Sequence, residues 1–394
     1  MKKIMSFMIC MMLVMTAGCS TDKRSDIMQK SVIDENSENF SEKESYQKDD
    51  LNSSSKLFPL TIENMVLDVG EGYWGVVTLD RELYMWGDNE YGQLGNGSNE
   101  DSDTPMKIMD DVVQVSLGEN HSAAITSDGS LYMWGNNELG QLGDGSYESS
   151  TVPIKVMDHV ISVDLGSQLS GAVTSNGDLY MWGDNEYGQL GNGSSLNDSA
   201  TPEKIMEGVG FISLASHHSA AITSDGSLYM WGWNNNGEFG TGSTGGRKEE
   251  PEKIADDVVL VNLGSMHSGW VTSDGSLYMC GSNSEGQIGS GADYNSVPQQ
   301  TTPSKVMDGV VSLGLGWGHS GAVTSDGSLY MWGSRFDGAL GYDAEDEKNP
   351  TPEKIMDNVL TVSAGSFGSG AVTSDGSIYV WGNGPSSPKK IDIP

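Results

Sequence analysis

An all-β fold, a seven-bladed β-propeller of four-stranded antiparallel blades, is predicted by three observations on this 394-residue chain. A Tyr-Met-Trp-Gly core, Tyr-Val-Trp-Gly in its last copy, places Trp at 86, 134, 182, 231, 332 and 381, and Cys280 fills the remaining slot. The spacings are 48, 48, 49, 49, 52 and 49 residues. Thr-Ser-Asp-Gly-Ser precedes that core five times, starting at Thr126, Thr223, Thr272, Thr324 and Thr373. Glycine, at 52 residues, is abundant enough to punctuate many short strands. A period near 48 sustained seven times is the mark of a repeat array. Short strands with regular aromatics are the mark of a propeller blade.

The second unit shows how one blade is written. Residues 113–117 alternate in polarity as a half-buried strand does. Gly118 to His121 turn the chain, residues 122–126 form a second strand, and Ser127-Asp128-Gly129 makes a tight hairpin. Leu131-Tyr132-Met133-Trp134 is a third strand of large β-favouring residues. A longer loop with Gly140-Gln141-Leu142-Gly143 leads to a fourth strand at 152–156. Its Pro153 suits an outer edge, where a missing N–H leaves no ladder bond unmade. Seven such units fill residues 57–394. Residues 57–62 and 387–391 both look like outer strands, and 57–62 are expected to seat in the closing blade.

The two segments ahead of the array have other compositions. Residues 1–18 start with Lys2-Lys3, run apolar from Ile4 to Met15 and end in Thr16-Ala17-Gly18, the pattern of an export signal. The apolar run is too short to span a bilayer as a helix. Ala-Gly-Cys resembles a bacterial lipoprotein box, which implies cleavage before Cys19 and acylation of its thiol; with two or more acyl chains that anchors stably. Residues 19–56 then read as the lipidated cysteine and a polar spacer that cannot bury enough apolar surface to fold. Its reach is roughly 35 Å. Cleavage would leave only Cys19 and Cys280, so no disulfide framework is expected. The expected location is the cell surface or the periplasm, on a membrane.

The repeat carries a family resemblance. The string running from Gly118 through His121-Ser122, Thr126, Gly129, Tyr132, Trp134-Gly135 and Asn137 to Gly140-Gln141-Leu142-Gly143 resembles the repeat of the regulator of chromosome condensation family. The resemblance covers everything except signal and spacer, and it implies the propeller fold. The family's best-known activity, nucleotide exchange on a nuclear GTPase, is not expected here. An exported chain is in the wrong compartment, and the largest spacing leaves no room for the inserted hairpin that activity uses. One secreted bacterial member of the resembling group inhibits a β-lactamase through its loop face.

Charge and motif content narrow the function. A formal net charge of −34 repels nucleic-acid backbones. No nucleophile elbow, zinc-protease helix, phosphate loop or cysteine pair occurs, so neither an enzyme, a metal nor a cofactor is expected. His121, His218, His267 and His319 share one slot, which Tyr73, Leu169 and Gly368 fill in the other units. Equivalent positions spread around a ring rather than converging on a metal, so a structural hydrogen bond is expected there. The Asp-Gly pairs at Asp128, Asp225, Asp274, Asp326 and Asp375 lack the ligand series of a calcium loop and read as turns.

Function is expected on the face where the units differ. In an antiparallel blade the Gly-x-x-His turn and the long loop after Trp-Gly emerge together, opposite the uniform Ser-Asp-Gly turns. The short turns offer Glu71, Tyr73, Glu119, Gln168, His217, Met266, Trp317 and Phe367. The long loops offer Tyr91, Tyr147, Trp233, Tyr294, Phe336 and Tyr342, among acids including Glu100, Asp101, Asp103, Glu345, Asp346 and Glu347. Exposed aromatics among acids suit a protein partner. The leading expectation is therefore a monomeric module that binds an extracellular protein, with enzyme inhibition as one version. A carbohydrate-binding propeller is the alternative, and it predicts one aromatic recurring at one loop position. Tyr91 and Tyr187 recur, but Leu139, Asn236, Glu285 and Asp337 break the series.

Overall fold

The computed structural model describes residues 65–292, 295–343 and 346–394. The export signal, Cys19, the spacer, residues 57–62, Tyr294 and Glu345 lie outside the described residues. The rest forms seven four-stranded antiparallel sheets, each built from four consecutive strands. The first is β1 (Val66–Val69), β2 (Tyr73–Val77), β3 (Leu83–Gly87) and β4 (Ser102–Met109). The second is β5 (Val112–Leu117), β6 (His121–Thr126), β7 (Leu131–Gly135) and β8 (Ser150–Met157), as its alternation and turn residues predict. The same order continues to the seventh, β25 (Val359–Ala364), β26 (Gly368–Thr373), β27 (Ile378–Gly382) and β28 (Lys389–Ile391).

Of the two segments that look like outer strands, the C-terminal one supplies the fourth strand of the last sheet: β28 pairs with β27 through Ile378–Ile391 and Tyr379–Lys390. Proximity along the chain decides it. A six-residue link, 383–388, reaches the free edge of β27 directly, with little closure entropy.

Each blade buries its second and third strands and leaves the fourth half-exposed. The hydrophobic clusters lie between neighbouring blades rather than within one. Met133, Leu131 and Leu142 of the second blade pack with Val163, Leu165 and Trp182 of the third, for example. Five of the six core tryptophans are fully buried and Trp86 nearly so. Each of those five donates its indole N–H to a loop carbonyl of the preceding blade, as Trp182 does to Gln141 at 2.9 Å and Trp231 to Gln189 at 2.7 Å. The Gly-Gln-Leu-Gly loop exists to make that contact. A Cβ on Gly143, which has φ +73°, would stand 2.6 Å from the Trp182 ring nitrogen.

The opposite turns are equally determined. Gly129 takes φ +81°. Asp128 accepts from the Thr126 hydroxyl at 2.7 Å and from the Ser130 amide at 3.0 Å. Only the glycine needs the left-handed conformation; the aspartate caps the turn with its side chain. These bonds hold the Asp128 carboxyl below its ordinary range.

Candidate functional site: the loop face and its axial mouth

The consecutive antiparallel order places the Gly-x-x-His turns and the long loops on one face and the Ser-Asp-Gly turns on the other. On the uniform face, Lys107, Lys155, Lys253, Lys305 and Lys354 each bridge to the aspartate three residues on, at 2.6–2.7 Å, and Lys204 bridges to Glu207 at 2.7 Å. The loop face is different in charge. Residues 88–101, 136–149 and 184–198 carry ten carboxylates and no lysine or arginine. None of the ten forms an ion pair with a described residue.

The short turns form two concentric rings, a distinction absent from the sequence reading. The inner ring is Glu71, Glu119, Ser167, Ser216, Ser265, Trp317 and Ser366, which line a mouth of about 100 Å³ on the propeller axis. Their side chains link around it: Ser167 to Ser216 at 2.7 Å, Ser216 to Ser265 at 3.1 Å, and Ser366 to Glu71 at 3.5 Å. Burial and the nearby Glu71 charge push the Glu119 carboxyl up. Gln168, His217, Met266 and Phe367 belong to the outer ring and stand away from the axis. A larger depression of about 430 Å³ lies on the flank between Gly193 and residues 247–252, away from both rings. Its cations are engaged: Arg247 donates to the Glu186 carbonyl at 2.7 Å and Lys248 bridges to Glu252 at 2.7 Å.

On the first strands of blades 1 and 3, Asp68 and Asp164 reach the first strands of neighbouring blades, and both were missed in the sequence because serine, asparagine or glycine fills the equivalent position of other blades. Asp68 accepts from the Leu117 amide at 2.8 Å and the Ser363 hydroxyl at 2.7 Å, and so ties blade 1 to blades 2 and 7. Asp164 accepts from the Leu214 amide at 2.6 Å. Enclosure by the inner strands raises the Asp68 carboxyl to about 6 and pushes Asp164 well up, with the Asp68 charge adding to the second shift.

The aromatics gather in two places. Trp317 and Phe336 are exposed, and Phe367 lies between them with ring centroids 5.8 and 5.3 Å away. Tyr187 is packed edgewise against His217 at 4.7 Å and Trp233 at 4.6 Å. Tyr147 is exposed alone on the second blade's loop, and Tyr91 is half-buried on the first.

Tyr73 is a correction. It is fully buried, and its hydroxyl donates to the His121 carbonyl at 2.7 Å, so it belongs to a blade seam and not to the loop surface. Its slot explains the histidines. His121, His218, His267 and His319 meet the serine of the next blade at 2.9–3.0 Å. Such a pair looks like a base beside a nucleophile, but the proton runs the other way. Ser170, Ser320 and Ser369 donate their hydroxyls to loop carbonyls at 2.8–3.0 Å, which leaves the imidazole Nε2–H as donor. Burial pulls these imidazoles down to about 3 or 4, so they stay neutral. They are latches between blades.

Fold and site together define a propeller with one standardised face and one individual face, the layout of a repeat-built binding scaffold. The description "RCC1-like domain" matches residues 38–264 and "Regulator of chromosome condensation (RCC1) repeat" matches residues 274–323. The chain belongs to the RCC1-like family. Human WBSCR16 superposes with a TM-score of 0.69 at 21% identity, over 78% of this chain and 86% of that one. Yeast RCC1 (Prp20), solved bound to Kap60, gives 0.69 at 21% identity over 89% and 90%. Prp20p from Saccharomyces cerevisiae, whose binding to Gsp1p and histones was studied with its structure, gives 0.68 at 22% identity over 83% and 82%. At these identities the likeness is one of fold. No curated protein matches the chain at a significant level.

Proposed function

We propose that this protein is an exported lipoprotein, held to a membrane through Cys19, whose propeller binds an extracellular protein through its loop face and performs no catalysis. The observation that carries this reading is the exposed cluster Trp317, Phe336 and Phe367, on the face where the blades differ. Exposed aromatics supply contact area at small entropy cost and dominate binding energy where they are found. The RCC1-like relatives with protein partners in their descriptions lend support at the level of the fold. Protein rather than glycan is favoured because the aromatics differ from blade to blade, and because Tyr187 is already packed against His217 and Trp233.

The test is capture of surface proteins by the mature chain beside a Trp317→Ala, Phe336→Ala, Phe367→Ala variant, with a glycan array probed in parallel. A protein held by the parent and lost by the variant supports the reading. Equal capture by both removes the site from this cluster, and glycan signal without protein capture replaces it with the lectin reading. Cys19→Ser is expected to release the protein from the membrane fraction; retention would remove the lipid anchor.

A further inference from the structure

The reading of the loop face as a protein-binding surface leaves the chemistry of the partner open, and the mouth of the propeller supplies it. Trp317 is the inner-ring residue of blade 6, and its amide donates to the Ser366 carbonyl at 3.3 Å. The Ser366 hydroxyl reaches Glu71 at 3.5 Å. Beyond Glu71 comes Glu119, close enough for the two charges to oppose one another. An unbroken arc therefore runs around the mouth from two carboxylates, across one serine, to an exposed indole. Phe367, the neighbour of Ser366, continues the indole outward to Phe336.

The charge of the surrounding surface is predominantly negative. The ten carboxylates of the first three long loops stand without cations, whereas the lysines of the opposite face are spent on their own acids. The loop-face cations are engaged: Lys348 bridges to Glu285 at 3.0 Å, Arg247 is held by the Glu186 carbonyl, and Arg335, beside Phe336, donates to the Tyr342 carbonyl at 3.1 Å and lies over the Tyr342 ring. A partner of the same sign would be repelled, and a neutral apolar one would strip water from Glu71 and Glu119 with nothing in return. A cation answers both. A guanidinium suits this arc better than an ammonium, because its plane can lie on the indole while its edge donates to a carboxylate.

We propose that the loop face takes a basic protein segment whose arginine enters the axial mouth between Glu71, Glu119 and the Trp317 indole, with an adjacent apolar side chain seated on Phe367 and Phe336. The mouth, at about 100 Å³, admits a single side-chain head. This inference rests on the protein-binding reading and specifies it.

Four synthetic peptides of equal length test it by fluorescence anisotropy against the full chain: arginine with leucine, arginine with serine, glutamate with leucine, and a serine-glycine control. The arginine-leucine peptide should bind tightest and weaken as salt rises. Glu71→Gln with Glu119→Gln should weaken it roughly tenfold or more, as should Trp317→Ala with Phe367→Ala. Asp80→Asn with Asp110→Asn, on the opposite face, should leave it within about twofold, as for weakly coupled surface charges. In the unmutated chain the peptide should alter the part of the indole emission that Trp317→Phe removes, which tests the contact without perturbing the mouth. Equal loss from the two faces, or equal binding of both arginine peptides, reduces the effect to general attraction and overturns the proposal. No preference among the four peptides also overturns it. A surface protein captured through the aromatic cluster but by an acidic or neutral segment would overturn this inference while leaving the protein-binding reading intact.

Discussion

The seam between blades 2 and 3 and the seam that closes the ring between blades 7 and 1 do the same job with different chemistry. At the first, Gln141 offers one carbonyl to both the Trp182 indole and the Ser170 hydroxyl, and His121 meets that serine at 3.0 Å. At the closing seam Gly368 stands in the histidine slot and Trp74 in the serine slot, so the latch is gone. Blade 7 also has no Gly-Gln-Leu-Gly loop to offer. Trp74 stacks on Trp86 at 6.1 Å instead, with Leu67, Val372, Val380 and Ile391 around them, and its own N–H finds no partner among the described residues. The polar ties across this seam run from Ser363 to Asp68 at 2.7 Å and, at the mouth, from Ser366 to Glu71 at 3.5 Å. The seam between blades 2 and 3 is thus directional and neutral, and the closing seam is apolar with the Asp68 carboxylate as its ionisable group. Their responses to pH should be opposite in sign.

Acid gives the largest expected effect. The latch histidines have folded values pulled far below 6.5 by burial, to about 3 for His121, His218 and His267 and about 4 for His319. For a group depressed on folding that must stay neutral, stability is complete above the unfolded value and is lost as pH falls toward the folded one. Each histidine should then remove roughly 1.4 kcal/mol per pH unit below 6.5. Urea midpoints measured between neutrality and pH 5 should fall steeply, and His121→Gln should flatten the slope by one histidine's share. An unchanged slope would mean that the imidazoles are not buried neutral.

Core truncation comes next. Trp182→Ala should cost about 3–5 kcal/mol, since it opens a cavity and removes one of the two hydrogen bonds to the Gln141 carbonyl. Trp74→Ala should cost about 2–3 kcal/mol, because no hydrogen bond is lost with it. If the second loss equals the first in chemical denaturation, the closing seam is not the less directional of the two.

Asp68 tests the opposite sign. Its folded value, about 6, lies above the usual aspartate value near 3.9. That contribution to stability is complete below the unfolded value and is lost as pH rises through 6. It amounts at most to about 3 kcal/mol. The histidine effect masks it in the parent, so the difference between the parent and Asp68→Asn is the observable. The variant should gain on the parent from pH 4 to 7, and a constant difference would place Asp68 in contact with bulk solvent. The smallest effect is a gain. Leu169→His restores the latch to Ser219 at the one ordinary seam without any latch residue and should add about 0.5–1 kcal/mol to thermal stability.

What could be read in advance follows from repetition. Strands, turns and core tryptophans recur seven times, so each copy confirms the others, and the structural roles of His121 or Asp128 were legible. Singular features were not. Tyr73 looked like a loop residue because its turn resembles the others, yet its ring is long enough to replace histidine and bond the next blade. Cys280 read as a buried, inert thiol in the tryptophan slot, with nothing to say what fills the space the indole leaves. In the structure it shares a cluster with Trp270 and Phe239, which stand where the second blade has Ala124 and Leu142 and return the missing volume, while its thiol donates to the Glu238 carbonyl at 3.0 Å.

The sequence alone determined the number of blades, their strand order and the face on which they differ, because period, polarity alternation and turn chemistry are local along the chain. The tertiary structure alone decided which short-turn residues line the mouth, that Asp68 and Asp164 lie near enough for the charge of one to act on the other, that Trp317 shares the mouth with Glu71 and Glu119, and that β28 completes the last sheet. These are relations between residues on different blades, up to 295 positions apart in the case of Asp68 and Ser363. Only closing the sheets into a circle brings them within contact.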